Sequence, residues 1–118
     1  MTLTMRCLLP LLLALSMCSV APTYAIVLKN STTGRIHDVA VKYGEFTSVG
    51  GVLDPGVEKV HAGIRERPPT VVDVVWTAED GTTFRREVRF DLPAESNEIT
   101  FEIRRDYSVQ VTSRRTPM

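Results

Sequence analysis

From Ile26 onward, apolar residues alternate with polar ones in short runs, and no window holds helical spacing over three turns. Such period-two patterning predicts strands throughout. Ile26, Val27 and Leu28 begin the first, stopped by the turn-forming stretch Asn30-Ser31-Thr32-Thr33-Gly34. His37, Val39, Val41 and Tyr43 alternate with Asp38, Ala40 and Lys42, which predicts a half-buried second strand with His37 on the apolar side. The third run, Glu45 to Leu53, contains Gly50-Gly51, the mark of a bulge or a close backbone approach. Asp54-Pro55-Gly56 supplies a turn and Val57 to Ala62 a fourth strand.

Ile64 to Pro69 ends in two prolines, which remove two donors, so it reads as an unpaired crossing segment. Val71 to Thr77 is nearly continuous in β-branched residues, as in a central strand covered on both faces, with Asp73 interrupting it. Asp80-Gly81 predicts a tight hairpin into Phe84 to Phe90, where Arg86 intrudes on the apolar parity and is a candidate partner for Asp73. Asp91 to Asn97 is a loop. The last hairpin sets Ile99, Phe101 and Ile103 against Tyr107, Val109 and Val111. Seven or eight short antiparallel strands in a single unit predict an all-β fold, a small immunoglobulin-like β-sandwich over residues 26–113, followed by a flexible tail over 114–118.

Residues 1–25 break the pattern. Arg6, the apolar run Cys7 to Leu15 and a small-residue stretch ending Thr23-Tyr24-Ala25 have the three parts of a secretory signal peptide, with cleavage expected before Ile26. Ser19-Val20-Ala21 is a second, poorer cleavage motif because Pro22 would follow the cut. Leu15-Ser16-Met17-Cys18 resembles a bacterial lipobox, so the alternative is a lipid-anchored envelope protein that meets the membrane through Cys18. A further alternative is a retained membrane helix, because Cys7 to Leu28 is uncharged over a length that would span a bilayer. The expected location is therefore the periplasm or the exterior.

Both cysteines, Cys7 and Cys18, lie in this segment, which leaves no thiol chemistry for the exported domain. All 14 acidic residues and 13 of the 14 basic ones lie beyond residue 25, a balance that gives no footing for nucleic acid. His37 and His61 are far apart in sequence and lack accompanying cysteines, so no metal site and no cofactor are expected. No nucleophile elbow or glycine-rich phosphate loop is present, and an enzyme would require a concave pocket holding two or more of His37, His61, Asp73 and Glu58.

Binding is the remaining class, through loops at one end of the sandwich or through an unpaired sheet edge, with a protein or another envelope component as partner. Candidate binding residues are Asn30, Thr33, Gly50, Gly51, Arg67 and Trp76. The segments Asn30-Ser31-Thr32-Thr33-Gly34, Val49-Gly50-Gly51 and Arg67-Pro68-Pro69 locally resemble the three binding loops of chagasin-type cysteine-protease inhibitors, whose fold is immunoglobulin-like. Ser31 stands where that family has proline and Pro69 where it has tryptophan, and the spacing before Arg67-Pro68 is shorter. The resemblance implies an inhibitor or immunity-type protein that occludes an enzyme.

Overall fold

The computed structural model describes residues 22–117; residues 1–21 of the expected signal peptide, with the poorer cleavage motif Ser19-Val20-Ala21 and the lipobox-like Cys18, lie outside them. The chain forms eight strands: β1 (Tyr24–Asn30), β2 (Ile36–Tyr43), β3 (Phe46–Leu53), β4 (Glu58–Ile64), β5 (Val71–Thr77), β6 (Thr83–Arg89), β7 (Glu98–Ile103) and β8 (Val109–Arg114). One sheet has the order β4-β1-β7-β8 and the other β3-β2-β5-β6. All pairs are antiparallel except β1 and β7, which run parallel. Ile26, Leu28, Ile99, Phe101 and Ile103 from the first sheet meet Ile36, Val39, Val41, Leu53, Val72, Val74 and Trp76 from the second in one continuous apolar core. The fold is an all-β two-sheet sandwich.

Alternation decides which side chains enter that core, and several expectations change with it. β5 is not covered on both faces: Val72, Val74 and Trp76 are buried while Val71, Asp73, Val75 and Thr77 are only half-buried. Its run of β-branched residues reflects strand propensity on the outer face rather than burial there. His37 does not share the side of Val39 and Val41, because the pairing of β2 with both neighbours slips between His37 and Ala40 and Asp38 takes a φ of 54°. The bulge expected at Gly50-Gly51 faces it: Val39 pairs with Gly51 and Ala40 with Val49, leaving Gly50 as the extra residue.

Four boundaries also move. Ile64 closes β4 and is buried rather than belonging to the crossing segment. Tyr107 lies in the β7–β8 turn at φ 64°, held there by ring stacking on Phe84 at 4.6 Å. The tail is tied down as far as Thr116, whose backbone N–H and hydroxyl both donate to Asn97 Oδ1 and whose carbonyl accepts from Asn97 Nδ2. At the other end β1 starts at Tyr24, two residues before the expected cut, and Tyr24 belongs to the core.

Candidate functional site

Six sequence-selected residues are scattered by the fold. Asn30 and Thr33 lie at the end of the sandwich where β1 passes to β2, Arg67 lies at the opposite end, and Gly50 and Gly51 sit within β3 between them. The three loop-like segments therefore do not form one binding rim. Trp76 is 1% exposed and is a core residue: β5 turns its indole inward, where it stacks on Phe84 at 5.3 Å.

Asn30 is wholly buried and works as a clasp. Its Nδ2 donates to the carbonyls of Gly34 and Leu53, each at 2.9 Å, while its Oδ1 accepts from the backbone N–H and the hydroxyl of Thr32. One side chain thus closes the β1–β2 turn and fastens it to the end of β3. Asn30-Ser31-Thr32 has the form of an N-linked glycan acceptor, but an amide nitrogen spent on two buried bonds has no access to a sugar. Arg67 likewise turns back on the fold, donating to the Leu92 carbonyl at 2.5 Å. Of the six, Thr33 and Arg67 are exposed loop residues, and Arg67 is the one whose side chain is tied back to the fold.

Polar candidates separate as well. Asp73 faces outward and accepts from Arg85 at 2.9 Å, not from Arg86. In the β5–β6 register Arg86 stands opposite Val74, on the inward side. It folds along the rim, its guanidinium 5.9 Å from the Trp76 ring and 5.2 Å from Phe84, and donates to the Tyr107 carbonyl. Arg86 thereby closes the side of the sandwich where β6 and β8 leave the core open, and this explains its apolar parity. His61 and Glu58 share β4 but face opposite sides of it, while His37 and Asp73 lie in the other sheet. Among the described residues, no group of three or more His, Cys, Asp or Glu side chains could hold a metal ion.

Sequence reading passed over the side of the molecule where β3 and β4 form the two sheet edges. His61 Nδ1 lies 3.0 Å from the hydroxyl of buried Ser48, a contact that joins β4 to β3 across the gap between the sheets. Tyr43, Phe46 and His61 stack in sequence, with ring centroids 4.8 and 5.6 Å apart. Together with Gly63, Ile64, Arg65 and Glu66 they line a hollow of about 280 Å³. Burial, and then the negative charge of Glu66, push the Tyr43 phenol above its ordinary pKa, and its buried hydroxyl has no protein partner. Farther along the same two edges, Val49 and Val52 on β3 are 61% and 60% exposed, and Val57 and Val60 are open near and on β4. The signal was present in sequence as a charge-free run from Phe46 to Leu53, but only pairing reveals that this run is an edge.

Two other concavities are polar. One, of about 330 Å³, is bordered by Thr32, Thr33, Arg35, Glu79, Asp80 and Tyr107; the other, of about 320 Å³, crosses the outer face of β1 and β7 between Lys29, Glu58, Glu98, Glu102 and Arg114. Hydrogen bonds from Ser31 to Glu102 and from Arg114 to Glu98 bind that face together.

No family model matches the chain, and no curated protein matches it. Its fold is similar to that in an NMR structure of a protein from Eubacterium rectale. The two share 16% identity over 81% of this chain and 92% of the other, with a TM-score of 0.55. At that identity the likeness speaks for the fold alone.

Proposed function

We propose that this protein is an exported binding module that meets another protein of the cell envelope through the β3–β4 side of its sandwich. The observation that carries this reading is the hollow of Tyr43, Phe46, His61 and Ile64, set between two sheet edges. A mostly apolar concavity with a few polar groups at its rim suits an apolar side chain delivered by a partner, with Arg65 and Glu66 positioned to orient it. The scatter of Glu58, His61, His37 and Asp73 favours binding over catalysis, and the separation of the three loop-like segments favours an edge over a protease-blocking rim. We further infer an immunoglobulin-like sandwich, supported by two stacked sheets of short strands; the parallel β1–β7 pair is its distinguishing feature.

A photo-crosslinking residue placed at exposed Arg65, in cells producing the full chain, tests this directly. An adduct with one envelope protein is expected, and His61→Glu should abolish it by putting a charge against the rings. Adducts that form equally with His61→Glu, or none, would refute the reading. Fractionation of the same cells should place the protein outside the cytoplasm.

A further inference from the structure

The β3 edge is unlike the other three. β6 carries Arg85, Arg86, Glu87 and Arg89, β4 carries Glu58 and Lys59, and β8 ends in Arg114, whereas β3 has no charged residue in eight positions. Charges on an edge prevent another strand from adding to it. β3 also has an internal symmetry created by its bulge. Ser48 and Leu53 are buried, Val49 and Val52 are exposed, and Gly50-Gly51 lies midway. Read from either end, the strand presents the same order of inward and outward side chains around the glycine pair. A regular strand cannot do this, because positions three apart then point to opposite faces.

We infer that β3 pairs antiparallel with β3 of a second copy of this chain about a two-fold axis through Gly50-Gly51. In that register Val49 lies directly opposite Val52 of the second copy on the outer face, and Ser48 lies opposite Leu53 of the second copy on the inner one. Opposed β-branched pairs are favourable sheet contacts, and a two-fold contact uses the same surface on both subunits. An uncharged strand joined to itself meets no like-charge repulsion.

Sedimentation equilibrium of the chain from Pro22 onward, which contains both sheets and the whole described core, provides the test. A reversible dimer is expected. Val49→Lys or Val52→Lys should weaken it roughly tenfold or more, since each buries uncompensated charge in the joint. This part of the chain contains no cysteine, so disulfide trapping is clean. Val49→Cys chains mixed with Val52→Cys chains should form a mixed disulfide, whereas either alone should not, because identical positions sit about 10 Å apart in this register. All of these positions are exposed, and unchanged thermal unfolding would show that the variants fold. A monomer at every concentration, a dimer indifferent to both lysines, or same-residue disulfides forming as readily as mixed ones would overturn the inference. Its failure would leave the hollow untouched, and failure at Arg65 and His61 would leave the pairing untouched.

Discussion

At the residue scale, the side chain that does most is Asn30, because its four hydrogen bonds replace water for groups that the fold has buried. Asn30→Ala would take the Asn30 partner from the Leu53 carbonyl and the Thr32 N–H, while the Thr32 hydroxyl still reaches the Gly34 carbonyl, so a loss of about 2 kcal/mol in urea unfolding is expected. Asn30→Asp should be no better, since a carboxylate cannot donate to two carbonyls. Tyr43 presents the reverse case. Its hydroxyl is buried without a protein partner, and Tyr43→Phe should gain about 1 kcal/mol. The pH dependence follows from the raised phenol pKa. Above the unfolded value of 10.0 the unfolded chain releases this proton first, so stability is full below that pH and falls as pH rises towards the folded value. Tyr43→Phe should flatten that alkaline decline in a pH series of urea midpoints.

At the element scale, the paired irregularity of β2 and β3 gives the second sheet its shape. Gly51 occupies φ +69° and Asp38, next to Gly51's partner Val39, φ 54°, a region that costs a side-chain-bearing residue about 1 kcal/mol or more. Gly51→Ala should therefore lose about 1 kcal/mol, although a Cβ there meets no atom within 4 Å. Asp38→Gly should gain roughly 0.5 kcal/mol, as left-handed strain is relieved at an exposed site. Thermal melts of the two variants should move in opposite directions. The glycine pair was legible as a bulge or a close backbone approach, and both occur: Gly50 is the extra residue and a Cβ on it would meet Leu28 Cδ1 at 3.0 Å. Asp38 was not legible, since an aspartate between two apolar neighbours reads as ordinary alternation. The same limit hid the role of His37 and exchanged Arg86 for Arg85 as the partner of Asp73, which is set by diagonal neighbours across β5 and β6.

At the scale of the whole molecule, the start of β1 bears on export. Tyr24 packs in the core and Ala25 pairs with Glu98, while the Ala25 N–H donates to the Asn97 carbonyl. Cleavage before Ile26 would remove all of this from a strand that stands between β4 and β7. If the chain is exported as proposed, mass spectrometry of the processed form should find an N-terminus upstream of Tyr24, and an N-terminus at Ile26 would contradict the prediction. The signal motif places small residues where a peptidase requires them, but strand pairing adds a demand that local sequence does not display.

The sequence by itself determined the strand content, most turns and the inward-facing residues of β7, because period-two burial and turn chemistry are local properties. Tertiary structure alone decided which strands became edges, how the two sheets face each other and which side chains meet at the rim. Those depend on pairing between segments distant along the chain. Phe46 and His61 are brought together by β1 and β2, the strands that carry their neighbours, and no window of sequence contains that contact.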